Sequence, residues 1–182
     1  MTYYRARRIV AEEMPVDILS IVLGTLGGIL LNTRVESFIA IPVLLSFIPV
    51  INGVGGNILS IFGSRLGSAL HLGSVRGFDR EMRKSIRVFV VISVLVFIAM
   101  ALTIYFTNSY FYGETLSMKI IILPVLAGFM LVGALLPITV LIALAAFRLG
   151  MDPDNVVVPL TTTIADLAGV VFLLLSMVMV GI

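Results

Sequence analysis

The chain has 182 residues, of which 60% are hydrophobic and 12% are charged, and its mean hydropathy is +1.19. An ordinary soluble domain is about half apolar and roughly a quarter charged, so this chain lacks the polar side chains needed to cover its surface in water. The composition therefore excludes a soluble enzyme, a nucleic-acid-binding domain and a disordered tail. It predicts a single domain that spans a lipid bilayer.

The chain contains no Cys and one His, His71. The lack of Cys excludes disulfides, thiolate metal sites and thiol nucleophiles, and a single His disfavours zinc chemistry based on His. Three arginines stand near the N-terminus, but Glu12, Glu13 and Asp17 interrupt the chain before any apolar run. A secretory signal needs such a run followed by a small-residue cleavage site, so we expect a cytoplasmic leader here.

Five apolar stretches follow, and each is long enough to form a membrane-spanning helix, which takes about 20 residues. We therefore predict an all-α integral membrane protein with five transmembrane helices in one domain, residues 1–182. The predicted spans are residues 16–33, 38–63, 86–107, 118–147 and 156–182. Because five is an odd number, the two termini are expected on opposite sides of the membrane.

The positive charges divide unevenly between the two sides that these spans define. Only Arg34 and Lys119, of the 12 Lys and Arg residues, lie on the side away from the N-terminus. Cytoplasmic loops carry an excess of Lys and Arg, so we expect a cytoplasmic N-terminus and an external C-terminus in the cell membrane. The stretch 64–85, which contains His71 and several basic residues, is predicted to be a basic cytoplasmic loop.

The second span contains residues that weaken a helix. Pro49 removes a backbone donor, and Gly53, Gly55 and Gly56 precede Asn57. Irregular backbone is tolerated at membrane depth where it lines a polar cavity, and broken helices often supply carbonyl and amide oxygens to ions. We expect Gly56 and Asn57 to line such a cavity. The alternative is a close helix crossing in which Asn57 bonds to a neighbouring helix.

The fifth span carries the one acidic residue that is expected deep in the membrane, Asp166. It lies about 16 Å along a helix that begins near Asn155, and Thr162 and Thr163 share its face. An ionisable group at this depth is costly and indicates function by default, so we interpret this face as part of an ion pathway. The alternative is a protonated Asp166 that bonds to a neighbouring helix.

Two acidic residues precede the fifth span. Asp154 or Asn155 can cap the helix, and Asp152 and Asp154 can concentrate cations at a pore mouth. The two roles are compatible. Asp152 is therefore a candidate cation-binding residue at the cytoplasmic end of the pathway.

The polar groups expected at depth are all oxygen donors, which hard cations such as Mg²⁺, Ca²⁺ and Mn²⁺ prefer. One carboxylate leaves a dication half neutralised and cannot strip the water from Mg²⁺. Two copies of Asp166 that face a two-fold axis supply two negative charges, and two-fold dimers are the commonest oligomers. We therefore expect a homodimer in the lipid bilayer, with a pore at its axis that holds a hydrated cation.

These motifs resemble the MgtE family of magnesium transporters and channels, with its archaeal and animal solute-carrier relatives. The matching pieces are PVLL from Pro42, GGN ending at Asn57, SRL from Ser64, and DPDNVVVPLTTTIAD from Asp152 to Asp166. The five-helix plan matches as well, so the resemblance covers nearly the whole chain.

The resemblance implies a homodimeric Mg²⁺ pathway with Asp166 at the central ion site. The backbone of Thr162 would line the same site, Asn57 would face the pore, and Asp152 would lie at the cytoplasmic mouth. The sequence departs from the bacterial members in lacking their cytoplasmic N-domain and CBS domains, so gating through those domains is not expected. The animal relatives contain two such halves in one chain, so a lone half is expected to pair with itself or with a partner.

Two alternatives to Mg²⁺ transport stay open. The first is an exchanger that couples Na⁺ or H⁺ to a divalent cation, which could be Mg²⁺, Mn²⁺, Co²⁺ or Ca²⁺. The second is a membrane scaffold that transports nothing and binds a partner through GxxxG faces at residues 24–28 and 63–67. A membrane enzyme is not expected, because the sequence shows no nucleophile–base pair.

Overall fold

The computed structural model of the protein describes residues 2–75, 80–113 and 117–182. These residues form six α-helices and no strand: α1 (Thr2–Asn32), α2 (Val35–Ala40), α3 (Leu44–His71), α4 (Arg80–Tyr112), α5 (Met118–Arg148) and α6 (Pro153–Val180). The all-α class predicted from the sequence is confirmed.

All of these helices except α2 are long and apolar enough to cross a membrane. The candidate spans are Glu13–Asn32, Leu44–His71, Arg80–Phe111, Met118–Arg148 and Asn155–Val180. Large apolar side chains such as Ile21, Val91 and Phe129 point outward and are more than half exposed, which suits a surface solvated by lipid. The prediction of five spanning helices is confirmed, and the chain is a multi-pass membrane protein.

Helix α6 lies at the centre of the helix packing, in contact with α1, α3 and α5. Helix α4 packs on α5 and hardly contacts α3. The α3–α6 pair is antiparallel, because Gly63 lies against Val157 near one end and Asn52 lies against Gly169 near the other. Small residues at a membrane helix crossing let two backbones approach closely, so glycines on both helices set how tightly α3 and α6 pack.

The second predicted span differs from the expectation. Helix α3 continues through Pro49 and through the three glycines that follow it, whereas the chain is interrupted earlier, between α2 and α3, where Pro42 lies. The prediction of irregular backbone at the glycines is therefore wrong. Pro49 lacks one backbone donor, but the turns on either side of it stay helical.

The packing of the glycines explains why helix α3 stays intact. Gly55 is buried against the Leu131 side chain of α5, and Gly56 is buried against Thr162 of α6. At both positions the missing side chain makes room for a neighbouring helix. Tertiary contacts on two sides therefore outweigh the weak helix propensity of glycine, which is about 1 kcal/mol per residue below that of alanine.

The predicted basic loop at 64–85 is largely helical. Helix α3 continues to His71 and α4 begins at Arg80, so the connection is much shorter than expected. Arg76 and Asp79 lie outside the described residues. The expectation is wrong because long basic side chains can reach the membrane interface from the end of a helix, so their charges do not require a loop.

His71 lies in the last turn of α3 and not in a loop. Its Nδ1 is 2.9 Å from the carbonyl oxygen of Gly67 in the preceding turn. Its ring packs edge-on against Phe147 of α5, with 5.0 Å between ring centroids. The single histidine therefore ties together the neighbouring ends of two spanning helices.

Two glycines of α5 allow a test of the packing between α4 and α5. A methyl group on Gly128 would collide with the ring of Phe97, which is 1% exposed, whereas a methyl group on Gly133 would meet nothing within 4 Å. Overpacking costs about 1–3 kcal/mol, so Gly128→Ala should lower the thermal unfolding temperature in detergent. Gly133→Ala, the matched control, should leave it unchanged or raise it slightly. Equal effects of the two changes would contradict the α4–α5 packing.

Candidate cation site

Helix α6 presents one stripe of residues to α1. The Thr163 hydroxyl forms a hydrogen bond with the Ser20 hydroxyl, and Leu167 and Val170 lie beside Gly27. Because the contacts advance along α1 and α6 in the same direction, these two helices run parallel. A helix turns through about 100° per residue, so these α6 residues lie on one side of its axis.

A second stripe of α6 faces α3. Thr162 and Ala165 lie against Gly56, and Gly169 lies against Asn52. Helices α1 and α3 hardly contact each other, although both pack on α6. A groove therefore runs between α1 and α3 with α6 as its floor, and we call it the α1–α3 groove.

Asp166 lies between the two stripes, about halfway along α6. Its rotation about the helix axis falls between that of Thr163, which faces α1, and that of Thr162, which faces α3. Its side chain is exposed, and no residue that the structure describes forms a hydrogen bond or ion pair with its carboxyl group. Asp166 therefore places an unpartnered carboxyl group on the floor of the open α1–α3 groove.

Asn57 lies within about one helical turn of Asp166 along the helix axes. Ala165 of α6 contacts Gly56 of α3. Because these two helices run antiparallel, Asp166 and Asn57 lie on opposite sides of that contact, about one turn apart or less. The Asn57 side chain is exposed, and Gly53, one turn earlier, has nothing within 4 Å of where a side chain would begin. Gly56 itself is buried beneath α6 and can contribute only backbone atoms.

The two threonines of the predicted face have different surroundings. The Thr162 hydroxyl donates to the carbonyl oxygens of Val158 and Pro159, at 3.0 and 2.9 Å, in its own helix. Thr163 is buried, 6% exposed, and its hydroxyl bonds to Ser20 of α1. Thr162 therefore lies beside the groove, whereas Thr163 joins two helices.

Ser20 and Asn52 are polar residues of the helix packing that the sequence analysis does not single out. Ser20 donates to the carbonyl oxygen of Val16 at 2.9 Å, so in its bond with Thr163 it is the acceptor. The Asn52 side-chain oxygen is buried against Gly169 and has no hydrogen-bond partner among the described residues. The sequence feature that could have identified Ser20 and Asn52 is that each is a polar residue within an apolar run.

Asp152 lies just before α6, which begins at Pro153. Proline is favoured at the first position of a helix because its missing N–H needs no partner there. The carbonyl oxygen of Asp152 accepts from the Asn155 N–H at 3.2 Å. The expectation that Asp154 or Asn155 caps the helix is therefore wrong, because both lie inside it. Asp152 is exposed and lies just before the start of α6, 14 residues before Asp166.

The described residues contain no group of three or more His, Cys, Asp or Glu side chains that could hold a metal ion. Within that part of the chain, the α1–α3 groove offers one carboxylate, one amide and backbone or hydroxyl oxygens. This donor set suits a hard cation that keeps its water and does not suit a dehydrated one.

The family comparison matches most of the chain. The family model MgtE, described as a divalent cation transporter, matches residues 48–176, which include α6 up to Ser176 and nearly all of α3. This chain belongs to the MgtE family. The match confirms the resemblance seen in the sequence motifs.

Curated relatives of this MgtE chain are animal proteins named solute carrier family 41 member 2. The human protein is 31% identical, the Xenopus laevis protein 29% and the mouse protein 28%, and each match covers 87% of this chain. The chain spans only about 30% of the length of these relatives. No solved structure matches the chain significantly.

The hydroxyl pair between α1 and α6 yields a prediction about stability. Hydrogen bonds between membrane helices contribute about 0.6 kcal/mol on average and up to about 1.7, so Thr163→Val should lower the thermal unfolding temperature of the MgtE chain in detergent. Thr161→Val is the matched control, because the Thr161 side chain is 2% exposed and its hydroxyl has no partner among the described residues. Removing that hydroxyl should leave stability unchanged or raise it. The reverse order would contradict the Ser20–Thr163 bond.

Proposed function

We propose that this MgtE chain transports Mg²⁺, or a closely related divalent cation, across the cell membrane, with Asp166 at the central site. The observation that carries the proposal is the exposed carboxyl group halfway along a spanning helix, in an open groove. Family membership supports a divalent cation as the transported ion.

Lipid cannot be the natural neighbour of Asp166. A charged side chain near the bilayer centre costs at least about 2.5 kcal/mol on insertion scales, whereas a carboxylate beside water and a cation avoids that cost. The α1–α3 groove therefore needs a cover that excludes acyl chains and admits water. A second copy of the chain, related by a two-fold axis, is such a cover.

The charge of the cation supports the same arrangement. One Asp166 supplies one negative charge, and two copies across a two-fold axis supply the two that neutralise a dication. Mg²⁺ gives up its water reluctantly and usually keeps several water ligands, so the two carboxylates would hold it through water. The exposed amide of Asn57, within about one helical turn of Asp166, would bind the same hydration shell.

The remaining candidate residues fit positions along this pathway. The backbone of Thr162 lies one turn before Asp166. Gly56 lets α3 approach α6 at this point, because the Thr162 Cα lies only 3.5 Å from where a side chain on Gly56 would begin. Asp152, near the start of α6, would attract cations at the cytoplasmic mouth. Ten of the 12 Lys and Arg residues are on the same side of the predicted spans as the N-terminus. Because basic residues are enriched on the cytoplasmic side, that side is proposed to be cytoplasmic.

Asp166→Asn gives the direct functional test. The change removes both charges of the paired site while keeping the size of the side chain, and such charges are worth several kcal/mol in a medium of low dielectric. Mg²⁺ uptake into proteoliposomes, followed with an enclosed indicator dye, should fall by about a hundredfold or more. Glu36→Gln in α2, outside the spanning helices, is the matched loss of one acid and should leave uptake unchanged.

Unchanged uptake by the Asp166→Asn protein would remove Asp166 from the pathway. No uptake by the unmodified protein would favour a scaffold. Uptake that needs a Na⁺ or pH gradient would favour an exchanger.

The proposed dimer can be tested with cysteines, because the natural chain has none. Gly53 faces open space on α3 and lies one turn from Asn57, so Gly53→Cys should place a thiol near the two-fold axis. A short bifunctional maleimide should then link two copies in the membrane. Val91→Cys on α4, where Val91 is 59% exposed, should not be linked. Linking at Val91 but not at Gly53 would place the interface on another face.

A further inference from the structure

A second groove lies between α3 and α4, on a part of the molecule separate from Asp166. Helix α4 packs on α5 and leaves a gap beside α3, and this gap holds a cavity of about 510 Å³. That volume is within the range of about 300–1,000 Å³ typical of small-molecule sites. We call it the α3–α4 groove.

The α3–α4 groove is charged at one end and apolar along the rest of its length. Arg65 of α3 and Glu81 and Lys84 of α4 lie at the end next to the α3–α4 connection, with one net positive charge among them. All three side chains are exposed, and none of them forms an ion pair with a residue that the structure describes.

The apolar walls extend from that charged end toward the middle of the membrane. Ile58 and Ile61 line the α3 side, and Val88 and Ile92 line the α4 side. From Lys84 to Ile92 the helix rises about 12 Å, close to the thickness of one leaflet, which is half of a hydrocarbon core of about 30 Å. Ile61, Val88 and Ile92 are 56%, 52% and 49% exposed, so the groove is open to an acyl chain.

We propose that the α3–α4 groove binds an anionic phospholipid, with its phosphate beside Arg65 and Lys84 and an acyl chain between α3 and α4. The net charge of these three described side chains complements the single negative charge of a phosphodiester such as that of phosphatidylglycerol. The orientation predicted from the charge distribution puts this end in the cytoplasmic leaflet, where anionic lipids attract basic residues.

A second, smaller cavity lacks the charged end on which the proposal of an anionic phospholipid rests. It has a volume of about 240 Å³, lies between α4 and α5, and is lined by apolar residues and Ser93 with no charged side chain. Only the α3–α4 groove, of these two, combines apolar walls with a cationic end.

The charged end is tested by measuring lipid binding to the purified full chain with native mass spectrometry. Phosphatidylglycerol and phosphatidylcholine are titrated separately. Arg65→Gln combined with Lys84→Gln should weaken phosphatidylglycerol binding by about tenfold, since each basic group near a membrane surface contributes appreciably to anionic lipid binding. Arg83→Gln combined with Arg87→Gln is the matched control, because both residues are exposed on α4 and do not line the groove.

The apolar walls are tested with a second matched pair. Val88→Trp fills the groove and should also weaken phosphatidylglycerol binding by about tenfold. Val91→Trp, at a similarly exposed residue that does not line the groove, should not. Equal effects of the groove variants and their controls would overturn the proposal. So would phosphatidylcholine binding as tightly as phosphatidylglycerol, or a groove occupied by a second copy of the chain in a structure determined in lipid.

Discussion

A carboxyl group halfway along a membrane-spanning helix is the constraint on which the rest of this structure depends. Asp166 is exposed halfway along α6, while the neighbouring sides of that helix pack against α1, α3 and α5. A charge in contact with acyl chains is unfavourable by several kcal/mol, so the carboxylate needs water, a cation or a second protein surface. The proposed two-fold dimer meets all three needs, since the second copy excludes lipid and the paired carboxylates hold a hydrated dication.

The helix packing determines where this carboxyl group points. Gly56 and Gly63 of α3 and Gly169 of α6 let the two helices lie close together, and the Ser20–Thr163 bond attaches α1 to the other side of α6. These contacts use the residues on both sides of Asp166 and leave Asp166 itself uncovered. Close packing within one chain therefore leaves Asp166 exposed toward the position of the second chain in the proposed dimer.

Hydropathy predicted all five spanning helices, because apolar length is a local property, and the position of Asp166 well inside α6 followed from the same reading. The role of Gly55 and Gly56 could not be predicted in this way. A glycine run weakens an isolated helix, yet here it lets α5 and α6 approach, and only the identity of the neighbouring helices decides between these outcomes. The Ser20–Thr163 bond and the α3–α4 groove likewise depend on which helices meet, which sequence periodicity does not specify.

The central claim is tested most directly by a structure of the chain in lipid with Mn²⁺, whose anomalous scattering marks its position. The account predicts two copies related by a two-fold axis, with a metal peak on that axis between the two Asp166 side chains and farther from each carboxylate than the roughly 2.0–2.2 Å of direct coordination. Asp166 side chains that face acyl chains, or a metal peak away from α6 in both copies, would contradict it.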